Sequence, residues 1–275
     1  MAVSSSQHSV VDPPKLARIL TPFETIGFSL GGLLLWLGTA PSIHRALGPQ
    51  ALMVWLVGTV GGVMLNLQVR HLGQIYPNLS GGTPNYVTQL LKNYPAIACY
   101  SAIGYWLGWV SIPPINAILL TDLIQTNLAP LDIQIPTFWV CFFLTSLPYI
   151  MAFSGTRALG ILHSFFVLPA IGLLIVFCGQ GFIWMVAHPE VQGMGIWAIL
   201  QSDFAINKFS APDWLQWYFV AVYAVYGAET GSSFVADSQK PRSTLNFITL
   251  AAILLPIVYL GGSLVMAHLG SAEMS

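Results

Sequence analysis

Tyr226-Gly227-Ala228-Glu229, followed by Ala236-Asp237-Ser238-Gln239-Lys240-Pro241-Arg242, sets a carboxylate and a glycine inside an otherwise apolar stretch. Such a stretch would ordinarily form one unbroken helix, and the glycine and Glu229 predict that this one is interrupted. In hydrocarbon a broken backbone and an ionisable side chain are tolerated only where they face protein or a watery cavity. The segment therefore marks a solute path, and the expectation it raises is a membrane transport protein or part of one.

Composition points the same way. Hydrophobic residues make up 55% of the 275, charged residues only 7%, and nine Trp and ten Tyr are present; the mean hydropathy is +0.72. A soluble domain usually carries about 25% charged residues, so that class is set aside. Net charge is −1 and the basic residues are scattered, which leaves no footprint for nucleic acid. Cys99, Cys141 and Cys178 stand alone in apolar stretches and read as packing residues.

A crossing helix needs roughly 20 apolar residues to span about 30 Å of hydrocarbon. Stretches free of Asp, Glu, Lys and Arg predict seven spans: Thr25 to Ile43, Pro49 to Val69, Tyr94 to Thr121, Pro136 to Thr156, Leu159 to Ala187, Trp214 to Ala236 and Thr244 to Ala267. Glu229 in the sixth is the one acidic residue within them. Residues 188–213, with Pro189, Gly193, Gly195 and Pro212 around Trp197, read as an extracytoplasmic loop with a short interfacial helix. Residues 1–21 read as a polar tail without the features of a cleaved signal peptide.

Lys and Arg are retained on the cytoplasmic side of a membrane. With the N-terminus inside, Lys15, Arg18, Arg70, Lys92, Arg157, Lys240 and Arg242 fall inside, against Arg45 and Lys208 outside. The expectation is an integral membrane protein with a cytoplasmic N-terminus, by default in a prokaryotic plasma membrane.

The sixth-span pattern of Tyr226, Gly227 and Glu229, with Asp237 and Lys240-Pro241-Arg242 beyond it, resembles the amino acid, polyamine and organocation permeases. Leu72-Gly73, Pro77, Ser80-Gly81-Gly82 and Tyr86 look like that family's signature after its second span. Gly48-Pro49 fits the opening of that span, and Gly155 with Arg157 the turn between spans four and five. The resemblance covers the chain from about Pro22 onward. It implies an all-α membrane protein with a leucine-transporter-like inverted repeat. Five helices over residues 22–187 would form the first repeat, and residues 214–275 the first two helices of the second. On this reading the chain looks like a permease that stops after span seven.

In such a fold the solute is held where the first helix of each repeat unwinds, between free amides at one half-helix end and free carbonyls at the other. The resemblance implies a substrate site of Gly31, Gly32, Gly38, Tyr223, Tyr226, Gly227 and Glu229, and gating or structural roles for Gly81, Gly82, Asp237 and Lys240. Gly227 and Gly231 would supply unusual dihedrals, and Tyr223 and Tyr226 aromatic walls or gates. Glu229 keeps two readings: a coupling or gating carboxylate, or a structural anion bonded to the broken backbone or paired near the inner surface. The family's first-span break, counted back from Gly48-Pro49, falls at the bulky Leu33-Leu34-Leu35-Trp36-Leu37, flanked by Gly27, Gly31, Gly32 and Gly38. His71 stands where an acid is usual, and neither Pro169 nor Ala170 supplies the fifth-span lysine of some members.

Other patterns carry less. Gly27-Phe28-Ser29-Leu30-Gly31 satisfies the Gly-x-Ser-x-Gly pattern of a hydrolase elbow, yet lies inside a span rather than on a strand-to-helix turn. The six histidines are dispersed, no pair has metal-ligand spacing, and His163 is the one to consider as a proton carrier. Trp106, Trp109, Trp139, Trp184, Trp214 and Trp217 read as interfacial belts, and Asn66 as an interhelical hydrogen-bonding residue.

Two functions stay open. One is a secondary-active transporter of amino acids or related small organic cations, using a proton or sodium coupling ion. The other is a shortened, non-transporting permease-like subunit that binds a membrane-protein partner. An enzyme is not expected, and neither a cofactor nor a metal is implied. The partners common to both readings are a small amino acid or amine and the lipid bilayer.

Overall fold

The computed structural model describes residues 17–187 and 211–272, with the side chains of Pro49 and of residues 268–272 excluded. The expected interfacial helix around Trp197, the loop up to residue 210, Lys15, Lys208 and most of the tail lie outside the described residues. Every element described is helical, and the sole extended pairing among them is an isolated bridge between Leu20 and Ser238.

The first span is α1 (Pro22–Leu30), a 3₁₀ segment (Gly31–Leu34) and α2 (Leu35–Leu47). Its start differs from the expected Thr25 because Thr21 and Glu24 form a reciprocal capping box, with Pro22 at the first turn. Glu24 therefore belongs to the span, so Glu229 is not the only acid in the bundle. Next come α3 (Ala51–Ile75), the short α4 (Thr83–Leu90), α5 (Pro95–Val110) and α6 (Ile112–Leu128). Pro113 and Pro114 open α6, so the third expected span bends at Ser111. Then follow α7 (Thr137–Ala152), α8 (Thr156–Ala187) and α9 (Ala211–Tyr226). A second 3₁₀ segment (Gly227–Phe234) and α10 (Pro241–Ala272) complete the described chain.

All seven expected spans are helical, and five of them are long and apolar enough to cross a membrane: Pro22–Leu47, Ala51–Ile75, Pro95–Leu131, Thr156–Ala187 and Pro241–Ala267. The other two are shorter for physical reasons. α7 is confined between Pro136 and the turn at Gly155, whose φ is +94°. α9 gives way to the 3₁₀ segment at Gly227.

The interior is built where α3 lies along α10 and α9, and where α1 lies along α8 and the second 3₁₀ segment. Leu33, Trp36, Val54, Trp55, Ile171, Leu174, Ala221, Val225, Leu255 and Tyr259 form its continuous apolar core. Trp36 donates from Nε1 to Ser263 Oγ at 3.2 Å, and a Cβ on Gly262 would run into its ring. Asn66 makes the expected interhelical bond, donating to the Val225 carbonyl at 3.4 Å as well as to Gly62 in its own helix. By contrast, α5, α6 and α7 turn outward, and Trp106, Trp139, Phe142, Phe143 and Ile150 are all exposed.

Candidate functional site

The two interrupted spans lie against each other at their interruptions. A Cβ placed on Gly32 would overlap the backbone of Gly227, and one on Gly227 would stand 3.0 Å from the Gly32 Cα. Further along, Ser29 stands against Gly231 and Phe28 meets Thr230. Residue numbers rise on one segment as they fall on the other, so the two run antiparallel. Gly31, Gly32, Gly227 and Gly231 have no positive φ; in the second 3₁₀ segment the glycines serve close approach rather than the unusual dihedrals expected of them. The first break falls at Gly31–Leu34, at the upstream edge of the bulky Leu33–Leu37 stretch, so the glycines rather than the leucines take the crossing.

Neither break is an open, unwound loop. Both are 3₁₀ turns, and hydroxyls stand against carbonyls at and beside them. Thr230 Oγ1 lies 2.8 Å from both the Phe28 and the Gly227 carbonyls. The fully buried Tyr259 places its hydroxyl 3.0 Å from the Gly32 carbonyl and 2.9 Å from that of Ala224. These contacts meet the demand that buried backbone polar groups be paired.

Glu229 is fully buried two residues beyond the crossing. Its Oε1 accepts from the Tyr105 hydroxyl at 2.7 Å, and its Oε2 accepts from Ser232 Oγ at 3.2 Å and from the Thr83 hydroxyl. The donors come from α4, α5 and its own 3₁₀ segment. The carboxylate is thus held by hydroxyl side chains, where the sequence suggested broken backbone or a basic partner. Gly81 and Gly82 bring α4 into place. Gly82 has a φ of +63° and sits against Ser232 and Ser233, and Gly81 donates its N–H to the Ser233 carbonyl at 3.3 Å.

Beside Glu229, four aromatic rings converge from α5 and α9. Tyr105 lies 6.3 Å from Tyr226 and 6.0 Å from Trp109, while Trp109 lies 6.4 Å from Tyr223 and 6.5 Å from Tyr226 between ring centroids. The Tyr223 hydroxyl is shielded and makes no hydrogen bond among the described residues. Trp109, read from sequence as an interfacial belt residue, is instead part of this cluster.

Of the expected site residues, Gly32, Gly227, Glu229, Tyr223 and Tyr226 are brought together, with Gly31 one residue away against His163. Gly38 is not; it sits about one turn into α2 and looks toward Leu119 of α6. Asp237 and Lys240 lie at the far end of the second 3₁₀ segment, where Asp237 accepts the Leu20 N–H on its carbonyl and Lys240 accepts the first amides of α10. Ser29 of the elbow-like motif is fully buried and donates to the Thr25 carbonyl at 3.2 Å, as serines inside helices commonly do.

Thr83, Tyr105, Thr230, Ser232 and Tyr259 were not singled out from sequence, and Trp109 was read there only as an interfacial residue. A signal existed for some: Tyr105 and Trp109 are spaced four apart and Tyr223 and Tyr226 three apart, so each pair shares a helix face. Among the described residues no group of His, Cys, Asp and Glu could hold a metal ion. No family model matches this chain, and no curated protein or solved structure matches it.

Proposed function

We propose that this chain is a secondary-active transporter of amino acids or related small organic cations, working by alternating access on an inverted-repeat, leucine-transporter-like fold. The observation that carries the reading is the antiparallel meeting of two interrupted helices at Gly32 and Gly227, with a buried carboxylate two residues on. The pairing of elements supports a repeat: the second span packs on the seventh, the first span on the sixth, the first on the seventh and the second on the sixth. Exchange of the two halves leaves that set unchanged. On the sequence reading of Lys and Arg, the N-terminus is cytoplasmic.

Within this function Glu229 is the coupling or gating group. Hydroxyls both donate and accept, so Thr83, Tyr105 and Ser232 can serve the carboxylate and the carboxylic acid alike by turning their O–H bonds. A proton exchanged at Glu229 would therefore find a hydroxyl partner in either state. The faces of Trp109, Tyr223 and Tyr226 suit an ammonium or amine, which aromatic quadrupoles attract.

A second reading, a non-transporting permease-like subunit with a membrane-protein partner, draws on a specific observation. The hydroxyls of Thr230 and Tyr259 already stand against carbonyls at and beside the breaks. Uptake of labelled amino acids and amines into proteoliposomes separates the two. Transport that is lost in Glu229→Gln, with insertion and helix content intact, is the expected result. Uptake unchanged by that substitution would remove Glu229 from the mechanism, and no uptake of any amine or amino acid by the parent protein would favour the subunit.

A further inference from the structure

At one end of the bundle a set of contacts outside the Glu229 site joins four separate parts of the chain. The Leu20 N–H donates to the Asp237 carbonyl at 3.0 Å, and the Leu20 carbonyl accepts from the Gln239 N–H at 2.8 Å. Arg18 Nη2 donates to Asn78 Oδ1 at 2.9 Å, just beyond the end of α3. Glu24 caps α1 by accepting the Thr21 N–H on Oε2 at 2.6 Å, while its Oε1 accepts from Arg157 Nε at 2.9 Å at the start of α8. Between these contacts and the Gly32–Gly227 crossing, Phe28 and Phe234 stack with centroids 3.9 Å apart.

We propose that residues 18–21 and the Glu24–Arg157 pair form a clasp that closes this mouth of the crossing and regulates access to the Glu229 site. The asymmetry of the ion pair suits a releasable fastening. The Glu24 side chain is 3% exposed whereas Arg157 is 64% exposed, so the guanidinium can leave into water while the carboxylate stays seated on its helix cap. The strand-like pairing is equally local: it involves Leu20 on one side and Asp237 and Gln239 on the other, with one further bond from Gln239 Nε2 to the Ile19 carbonyl at 3.3 Å. One carboxylate thus links the capping of α1 to its attachment to α8. Losing Arg157 loosens the entry to the first span without touching the crossing itself. Because Arg157 is open to water, salt screens the pair in part, and the fastening weakens modestly as ionic strength rises.

The clasp rests on the transport reading for its purpose, but its test does not depend on transport. A protein with Cys99, Cys141 and Cys178 replaced by Ser receives one reporter, Ser29→Cys, which lies between the clasp and the crossing against Gly231. In reconstituted vesicles, the rate at which a small membrane-impermeant maleimide modifies that cysteine reads the opening of this mouth. Arg157→Ala and Glu24→Gln should raise the rate by roughly tenfold, and Arg157→Lys should return it toward the parent value. In the same reporter protein, Leu20→Cys with Ser238→Cys should, once oxidised, lower the rate at residue 29 below the parent, with recovery after a reductant is added and removed; peptide mass separates label at residue 29 from label at residues 20 and 238. Equal rates across Arg157→Ala, Arg157→Lys and the oxidised and reduced pair would overturn the clasp. A rate that responds while the parent transports nothing would uphold the clasp and defeat the transport reading. Uptake with an unresponsive rate would do the reverse.

Discussion

The first span, which carries one of the two interruptions, and the α5–α6 span of the outer layer have the same mean hydropathy, 1.5, and opposite construction. In the first and seventh spans half of the most apolar window is buried, against 11% in the third. The crossing is made of Gly32 and Gly227 with Thr230 and Tyr259 beside them, small residues and hydroxyls, whereas the outer layer shows Tyr100, Trp106, Phe138 and Trp139 to its surroundings. In water, burying a Leu or Phe would decide which face turns inward, at about 1.5–3 kcal/mol per side chain. In a bilayer lipid tails are as apolar as those side chains, so close packing and hydrogen bonds decide instead.

The contrast breaks most sharply at glycine. Gly32→Leu or Gly227→Leu would drive a side chain into opposing backbone, and each should destabilise the protein by more than about 3 kcal/mol. The same change at Gly104 or Gly108 on α5, where a Cβ meets nothing, should leave thermal unfolding in detergent close to the parent. Comparable losses in both regions would refute the division drawn here. Next in size, Tyr259→Phe strips the hydroxyl from the Gly32 and Ala224 carbonyls and should cost about 1–2 kcal/mol by denaturant titration. On the outer layer, Phe143→Leu should change stability by no more than about 0.5 kcal/mol, which the same titration in lipid nanodiscs can check.

The smallest effect is electrostatic. Partial burial pushes the Asp237 carboxyl up from its usual range, so the fold disfavours the ionised form. Stability attached to the protonated acid is present at low pH and is lost as pH rises through the raised folded-state value. Asp237→Asn should therefore raise the melting temperature slightly at neutral pH, with the difference closing in acid. A widening gap in acid would reverse the sign.

Much of the fold was legible because hydropathy and helix punctuation are local properties. Seven helical stretches, the interruption at Gly227 and the role of Asn66 could be read from neighbouring residues. Glu24 was missed because a rule that excludes charge from spans pushes the first boundary past it, while the capping box that holds it inside is a four-residue pattern of another kind. Tyr105, Thr83 and Tyr259 were missed because their partners lie far along the chain, and nothing local tells a hydroxyl that seats a carboxylate from one facing lipid. Trp36 and Trp55 are core residues, since a ring flanked by small residues on facing helices can be enclosed anywhere along a span.

The length of α7 has its own consequence. Sixteen residues rise about 24 Å, several ångströms less than a typical hydrocarbon slab of about 30 Å. Its apolar flanks are nonetheless turned outward, so lipid meeting this side of the protein has to dimple toward it. Such a dent has an energy that grows with chain length, and the protein should be most stable in short-chain bilayers. In a membrane of mixed thickness, that same dent would sort it toward the thinner regions and toward neighbours with an equally short side.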